Sequence, residues 1–332
     1  MAGTTQVSRA LRIVADAGLG HGELTEVPVT GIGSGELLLR ASHSSVNYKD
    51  ALAATGQGKV VRRFPLIGGI DVVGEVVDSA DPDYRPGDQV LVTGFGLSED
   101  HDGGYAQWVR VPSTWVVRLP EGLTPWESMA LGTGGLTAAL AIHRLQSNGL
   151  RPGQGPVAVT GATGGVAGLA IGMLARRGYQ TVALTRQLDA DAYLASIGAA
   201  SVEQAPAPEA SPKPMQSARW AGAVDSVGGQ TLAWLIRTMQ RGGSIAAFGN
   251  AGGHELPTLV LPFILRAVNL LGINTGYFDD ALRQQLWARM ATDLRPDHLD
   301  RMTSTISLNE LPQAFNALLN GAVRGRLVVD LG

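Results

Sequence analysis

A glycine-rich turn between an apolar strand and an apolar helix is the clearest chemical feature of the sequence. Residues 157–160 predict a strand, Gly161-x-x-Gly164-x-x-Ala167 forms the turn, and a helical run continues to Arg177. Glycines permit a tight turn and let backbone N–H groups approach a pyrophosphate, which a helix N-terminus also favours electrostatically. We therefore predict a dinucleotide site, the alternative being a merely structural turn. The predicted members are Gly161, Ala162, Gly164, Gly165, Val166, Ala167 and Gly168.

The end of the next predicted strand indicates which dinucleotide binds. Sites for NAD usually place an acidic residue about 20 residues after the turn, where it binds the ribose 2′-hydroxyl. The first acid here, Asp189, falls beyond the predicted strand end, and Thr185, Arg186 and Gln187 precede it. Because a hydroxyl and a cation suit a 2′-phosphate, we predict NADPH as the cofactor. The alternative is that Arg186 is only a solvated loop charge.

Composition restricts the other possibilities. Apolar residues make up 45% of the 332 residues and charged residues 17%, which is typical of a globular chain of about two domains. With 26 basic and 29 acidic residues the net charge is −3, so neither nucleic acid nor an anionic membrane surface is expected as a partner. The chain has no cysteine, which excludes disulfides and thiolate zinc sites.

Targeting and metal-binding patterns are also missing from the sequence. The first residues show no basic stretch followed by a long apolar one, and no run approaches the 18 apolar residues of a membrane span. We therefore expect a cytoplasmic protein. No metal site is expected, because the histidines lack the spacing of metal ligands. They are His21, His43, His101, His143, His254 and His298.

Two patterns of secondary structure must position these residues. The first ~125 residues are rich in β-branched and aromatic runs separated by turn residues, which predicts a small barrel or sandwich. The predicted strands are 37–42, 71–77, 89–92 and 105–111. The sequence Thr124-Pro-Trp-Glu127 then predicts a capped helix start.

From about residue 156 to residue 273, predicted strands and helices alternate, which implies a parallel, doubly wound sheet. The predicted strands are 157–160, 180–185, 222–225, 243–248 and 269–273, and a short helix is predicted at 190–197. Residues 205–214 contain four prolines and predict a surface loop. The last ~55 residues predict helices at 279–290 and 311–320 and a strand at 325–331.

Five dispersed segments carry a resemblance to a known family: 44–52, 64–71, 103–107, 220–228 and 261–266. With the glycine turn, they are similar to the zinc-free, quinone oxidoreductase-like YhdH/YhfP branch of the medium-chain dehydrogenase/reductase superfamily. The resemblance implies an α/β fold. A GroES-like β-barrel catalytic domain would comprise residues 1–124, completed by 275–332, and a doubly wound Rossmann NADP-binding domain would comprise 125–274. Two departures are Ala167, where the branch has glycine, and Thr185-Arg186-Gln187, where it has Ser-Gly-Arg.

The resemblance also implies an activity, since characterised members of the branch include acrylyl-CoA reductase. The expected reaction is NADPH-dependent reduction of an activated C=C bond, with hydride added at the β-carbon and a proton at the α-carbon. The expected substrate is a small molecule, a short enoyl-CoA such as acrylyl-CoA. The alternatives are an NADPH:quinone oxidoreductase and a non-catalytic dinucleotide-binding redox sensor. A homodimer paired through the edge strand near 270–274 is expected.

Further site residues follow from the resemblance. Asn47 and Tyr48 are the expected catalytic donors, on the loop that faces the nicotinamide in the family; the alternative is that Tyr48 packs in the barrel and Asn47 caps a turn. Asp225 could orient the adenosine or cap a turn. The remaining expected cofactor contacts are Thr133, Thr137, Ala247, Phe248, Gly249 and Arg326.

A basic cluster is the candidate site for the substrate's phosphates. Lys59, Arg62 and Arg63 form the densest group of cations in the sequence. A CoA thioester carries phosphates, and arginine suits phosphate recognition. The alternative is an ordinary solvated loop.

Overall fold

The chain divides into two compact units. The first unit comprises residues 1–133 and 303–332, and the second comprises residues 134–302. The structure is a computed structural model and describes residues 6–16, 18–187, 189–207 and 213–332.

Strands and helices alternate in the second unit and strands predominate in the first, so the predicted α/β class is confirmed. In the described ranges the strands are β1 Val7–Asp16, β2 Leu19–Pro28, β3 Leu37–Ser45, β4 Leu66–Ile67, β5 Asp71–Ser79, β6 Gln89–Thr93, β7 Trp108–Val111, β8 Val117–Arg118, β9 Val157–Thr160, β10 Thr181–Thr185, β11 Ser201–Gln204, β12 Trp220–Asp225, β13 Met239–Ala247, β14 Asn269–Gly272, β15 Thr303–Ser307 and β16 Arg326–Asp330. The helices are α1 Tyr48–Thr55, α2 Pro125–Ser147, α3 Gly165–Arg176, α4 Asp191–Ser196, α5 Gly229–Thr238, α6 Leu261–Arg266, α7 Asp280–Ala291 and α8 Leu311–Leu319. Short 3-10 helices are Val29–Gly31, Ser113–Trp115, Leu299–Met302 and Leu308–Glu310.

The first unit is built from two sheets around an apolar core. One sheet has the order β2-β1-β4, and the other has the order β15-β16-β3-β5-β6-β8, with β7 paired to β3. Tyr105 and Phe315 lie in the core with ring centroids 6.0 Å apart, and Tyr105 is fully buried. The β-rich character was predicted, but the hairpin of β1 and β2 was not. β2 consists of exposed and half-buried residues and contains no buried one. Its sequence therefore lacks the apolar face that identifies a strand.

The start of α2 confirms the predicted cap. Thr124 N donates to Glu127 Oε2 at 2.9 Å, and Glu127 N donates to Thr124 Oγ1 at 3.2 Å. These reciprocal bonds satisfy backbone and side-chain groups at the helix start. The helix is interrupted at Gly132, whose φ is +50°. A Cβ built there would lie 2.6 Å from Asp71 Oδ2, so glycine is required for both conformation and space.

The second unit contains the predicted parallel sheet. Its strand order is β11-β10-β9-β12-β13-β14, and every neighbouring pair is parallel. The chain adds β10 and β11 on one side of β9, then returns to add β12, β13 and β14 on the other. The change of direction between β9 and β12 is the place where such sheets open a crevice at their carboxyl ends. The sequence did not predict β11, a four-residue edge strand without a buried residue.

The two units change over at 133/134 and 302/303, later in the chain than the predicted domain boundaries. The segment after β14 packs within the second unit: Trp287 of α7 is fully buried, and Arg289 Nη2 donates to Gln146 Oε1 at 3.2 Å. The domain boundaries that the resemblance implies, at 124/125 and 274/275, stay a prediction.

The proline-rich segment was predicted to be a loop. Residues 205–207 and 213–214 have no helix or strand, and 208–212 lie outside the described residues. In the part of the chain that the structure describes, no helix is long and apolar enough to cross a bilayer.

Candidate functional site

The glycine turn lies at the carboxyl end of β9, beside the change of direction in the sheet. Gly161 has a φ of +59°, and a Cβ built there would lie 2.4 Å from Ser226 Oγ, so a side chain has no room. Gly164 is the N-cap of α3, and its first turn contains no acidic residue and receives no side-chain cap. Backbone N–H groups at such a helix start need acceptors, which a pyrophosphate provides. The turn therefore fits the phosphates of a dinucleotide.

A buried carboxyl group joins the two strands that flank this crevice. Asp225, the last residue of β12, accepts a bond of 2.6 Å from Thr160 Oγ1 and one of 2.9 Å from Gly228 N. Its side chain is fully buried, and burial raises its pKa. These contacts give Asp225 the turn-capping role that the sequence left as one of two alternatives. It holds the ends of β9 and β12 together from within the sheet.

The residues after β10 lie next to the turn, because β10 pairs with β9. Thr185 is buried, and its Oγ1 accepts a bond of 3.0 Å from Gln187 N, so its hydroxyl oxygen stabilises the local bend. Arg186 is exposed. Of the three residues predicted to bind the 2′-phosphate, Arg186 is the one whose side chain is exposed to an anion in solution.

Other predicted cofactor contacts also lie at the carboxyl ends of the second unit's strands. Ala247 ends β13, Phe248 N donates to Asp225 O at 3.1 Å, and a Cβ on Gly249 would lie 2.1 Å from Ser226 O. The chain after β13 thus runs directly against the turn after β12. Thr137 lies in α2 instead, and its Oγ1 is 3.2 Å from Thr275 Oγ1. Contact of these residues with a cofactor stays a prediction.

A second polar cluster lies inside the first unit and is centred on Asp71, the first residue of β5. Asp71 is fully buried, and its carboxylate accepts four hydrogen bonds. Ser45 Oγ, Asn47 Nδ2 and Thr133 N donate to Oδ2 at 2.6, 2.8 and 3.0 Å, and Thr133 Oγ1 donates to Oδ1 at 2.5 Å. Sequence reasoning did not single out Asp71, although it ends the matched segment 64–71.

Arg326 is the cation of the same cluster. It donates to Ala130 O, Val46 O, Asn47 Oδ1 and Ser45 Oγ at 2.9–3.1 Å. Burial lowers its pKa, and the negative charge of Asp71 opposes that shift. Four of the five guanidinium N–H groups are thus used inside the first unit. The predicted contact of Arg326 with a cofactor stays a prediction.

The two expected catalytic residues, Asn47 and Tyr48, differ in whether other side chains hold their polar atoms. Both polar atoms of the Asn47 side chain are held, Nδ2 by Asp71 and Oδ1 by Arg326. Tyr48, the first residue of α1, is 57% exposed, and its hydroxyl has no hydrogen-bond partner within the described ranges. Tyr48 does not pack in the barrel, as the alternative supposed, and its O–H is available to a ligand.

A second carboxyl group, Asp50, fixes the start of α1. Its oxygens accept bonds of 2.9 Å from Asn47 N and from Ile70 N. Burial, and next the negative charge of Asp71, raise the pKa of Asp50 to about 7. Asp50 therefore caps the helix start, since it bonds the backbone of the N-cap residue Asn47.

The basic cluster is only partly available. Arg62 lies 3.6 Å from Glu99 and 4.0 Å from Asp100, and Glu99 also pairs with Lys49. Lys59 and Arg63 are exposed and have no ionic partner among the described residues. All three predicted cations are therefore exposed, and Arg62 differs from the other two in lying beside carboxylates.

The last candidate feature is a metal centre in the described ranges. No group of three or more histidine or acidic side chains there is arranged to hold a metal ion.

Known proteins are similar to this chain over nearly its whole length. Residues 33–121 match the family described as the alcohol dehydrogenase GroES-like domain. The chain is 45% identical to "Acrylyl-CoA reductase AcuI" of Ruegeria pomeroyi, over 93% of this chain and 92% of AcuI. It is also 45% identical to "Putative quinone oxidoreductase YhfP" of Bacillus subtilis, over 89% and 90% of the two chains.

Two solved structures are similarly close. YhdH of Escherichia coli K-12 with bound NADPH has a TM-score of 0.94 at 39% identity, covering 97% of this chain and all of YhdH. YhfP of Bacillus subtilis with NAD bound has a TM-score of 0.95 at 41% identity, covering 98% and 99% of the two chains. The predicted combination of a GroES-like domain with a doubly wound nucleotide-binding domain is therefore confirmed.

Proposed function

Because the chain belongs to the YhdH/YhfP branch of the medium-chain dehydrogenase/reductase superfamily, we propose that it is an NADPH-dependent reductase of the C=C bond of a short enoyl-CoA. Acrylyl-CoA is the proposed substrate. The near-full-length similarity to AcuI carries this proposal. The absence of cysteine means that the chain cannot build the thiolate zinc sites of its zinc-dependent relatives.

The residues divide the work of the proposed reaction. The uncapped amides at the start of α3 bind the pyrophosphate, and Arg186 binds the 2′-phosphate. When bound, NADPH supplies a hydride, which adds at the β-carbon of the substrate. The free hydroxyl of Tyr48 donates a hydrogen bond to the thioester oxygen as negative charge develops there, and a proton from solvent then adds at the α-carbon. Asn47, held on both sides, fixes the backbone next to Tyr48.

The substrate assignment is tested by the oxidation of NADPH, followed at 340 nm with acrylyl-CoA, crotonyl-CoA and 1,4-benzoquinone under one set of conditions. We expect kcat/KM for acrylyl-CoA to exceed that for the quinone by at least tenfold. A preference for the quinone would favour an NADPH:quinone oxidoreductase, the function in the name of YhfP. Binding of NADPH without turnover of any of the three would favour a redox sensor.

The exposed cations Lys59 and Arg63 are proposed to bind the phosphates of CoA. The double variant Lys59→Gln/Arg63→Gln is expected to raise KM for acrylyl-CoA about fivefold, since solvent-exposed ionic contacts are worth up to about 1 kcal/mol each. The KM for benzoquinone, which has no phosphate, should not change. The control is Arg40→Gln/Arg85→Gln, which removes the same charge at other exposed positions of the first unit. An equal rise of KM in the control would assign the effect to net charge alone.

Arg186 is proposed to select NADPH over NADH. We expect Arg186→Gln to weaken NADPH binding about 10- to 100-fold, the loss typical of a hydrogen bond to a charged group, and to leave NADH binding unchanged. Titration of the nucleotide fluorescence measures both dissociation constants. Arg241→Gln, which removes an exposed arginine of β13, is the control. Equal weakening of NADPH and NADH would place Arg186 away from the 2′-phosphate.

A homodimer is proposed from the edge of the second unit's sheet. β14 pairs on one side only, with β13, and edge strands of this kind invite pairing with another chain. Apolar side chains are exposed beside it, including Val260 at 65%, Ile264 at 70% and Leu265 at 52%. Sedimentation equilibrium tests the proposal, and a monomer at micromolar concentration would refute it. A cytoplasmic location stays a prediction.

A further inference from the structure

Asp71 connects the two segments of the first unit that carry predicted site residues. Its Oδ2 accepts a bond from Asn47 Nδ2 at 2.8 Å, directly before Tyr48 in the chain. Its two oxygens also accept both the backbone N–H and the hydroxyl of Thr133, at 3.0 and 2.5 Å. One fully buried carboxylate thus fixes the chain at residue 47 and at residue 133.

The start of β5 holds Tyr48 from both sides. Asn47, on the N-terminal side of Tyr48, bonds Asp71, and Asp50, on its C-terminal side, accepts from Ile70 N at 2.9 Å. Ile70 and Asp71 are consecutive residues, so a single short segment anchors the first turn of α1. Tyr48 itself makes no hydrogen bond through its hydroxyl within the described ranges and depends on these neighbours for its position.

We infer that Asp71 is a positioning residue for the reduction: through Asn47 it holds Tyr48 in the place from which its hydroxyl donates to the substrate. The inference rests on the proposed function in one respect, the donor role of Tyr48. Asp71 touches neither substrate nor cofactor in this account.

The charge of Asp71 serves the same arrangement. Arg326 is buried with it, bonds the Oδ1 atom of Asn47, and shares Ser45 Oγ with Asp71 as a common partner. The amide of Asn47 is therefore oriented by an anion at its nitrogen and a cation at its oxygen. Charged partners give shorter and stronger hydrogen bonds than neutral ones, which suits a positioning role. The negative charge of Asp71 also contributes to the raised pKa of Asp50. Asp71 thus acts on Asn47, before Tyr48, through a hydrogen bond and on Asp50, two residues after it, through its charge.

The test is a double-mutant cycle between Asp71→Asn and Tyr48→Phe in the full-length protein. Asparagine keeps the size of aspartate and one carbonyl acceptor but removes the charge. We expect Asp71→Asn to lower kcat about 30-fold and to leave the dissociation constant of NADPH within twofold of wild type. In the Tyr48→Phe background the same substitution should lower kcat by less than threefold, because the group that Asp71 positions is already absent.

Additive effects, with Asp71→Asn lowering kcat equally in both backgrounds, would overturn the inference, as would an unchanged kcat in the single variant. Asp225→Asn is the contrasting variant, since it removes a buried carboxylate of the second unit. It should weaken NADPH binding, whereas Asp71→Asn should not. A similar loss of NADPH binding in both variants would indicate a general structural role for Asp71 and would also overturn the inference.

A milder pair of variants covers the case in which Asp71→Asn does not fold. Thr133→Val removes one hydrogen bond to Asp71 at nearly constant volume, and Thr133→Ser keeps it. We expect Val to lower kcat about tenfold and Ser to restore it to within threefold of wild type; equal kcat values for Val and Ser would count against the inference. If Tyr48→Phe alone has no effect on kcat, the donor role in the proposed function fails, whatever the Asp71 variants do.

Discussion

Tyr48→Phe is expected to lower kcat for acrylyl-CoA by about 100-fold or more while NADPH binds as in the wild type. The structure leaves the hydroxyl of Tyr48 without a partner in the described ranges and 57% of the residue exposed, so the O–H is free to meet a developing enolate. Removing one hydrogen-bond donor to a developing oxyanion typically costs about 10²–10³ in kcat, and phenylalanine removes only the hydroxyl. Stopped-flow measurement of the hydride-transfer phase, alongside a titration of NADPH binding, separates the two steps.

The control for this prediction is Tyr84→Phe, also in the first unit. Tyr84 OH makes a long bond of 3.5 Å to Val116 O, and its ring lies under Arg118. Loss of that hydroxyl should leave kcat unchanged. If Tyr48→Phe turns over acrylyl-CoA as fast as the Tyr84 variant, water or another group stabilises the charge on the thioester oxygen, and the donor role of Tyr48 is wrong.

Gly164→Asp is expected to raise the dissociation constant of NADPH by about 30-fold or more relative to Gly164→Asn. Gly164 is the N-cap of α3, with φ −75° and ψ 156°, so it is in an extended conformation that any residue adopts. Asp and Asn are similar in shape and are both good N-caps, so neither should destabilise the helix. Only Asp places a negative charge where the pyrophosphate is proposed to bind, and a repulsion of about 2 kcal/mol is modest for charges about 4 Å apart near a protein surface.

The paired design separates charge from shape. A Cβ at position 164 would lie 3.2 Å from Gly161 O, and both variants share this close contact. Thermal melting should show equal stability of the two variants, and isothermal titration should show different affinities for NADPH. Equal affinities would mean that the pyrophosphate does not lie at the start of α3, and the proposed cofactor site would be wrong.

Local patterns in the sequence predicted much of the second unit. The strand, glycine turn and helix at 157–176 are confirmed, and so is the capping box of Thr124 and Glu127. These features depend on residues within a few positions of each other, such as a glycine that tolerates positive φ or a side chain that reaches the helix start. The strands β9, β10 and β12 were predicted for the same reason, since buried parallel strands are continuous apolar runs. The predicted strands β13 and β14 are also confirmed.

Other elements could not be read from local patterns. The strand β2 and the edge strand β11 carry no buried residue, and their strand conformation depends on partners elsewhere in the chain. The basic cluster showed the same limit: only the fold brings Glu99 within 3.6 Å of Arg62, whose side chain stays 62% exposed.

The sequence alone determined the strand, glycine turn and helix at 157–176 and the order of the two architectures, because each depends on neighbouring residues; binding of a 2′-phosphate by residues 185–187 stays a prediction. Tertiary structure decided the cluster around Asp71. Ser45 and Arg326 are 281 positions apart and Thr133 and Asp71 are 62 apart, yet they share one buried network. No local spacing indicates that a carboxylate and a guanidinium so distant in the chain will share a hydrogen-bond partner, Ser45 Oγ. The folded core selects them, since a charge buried away from water is stable only where partners surround it.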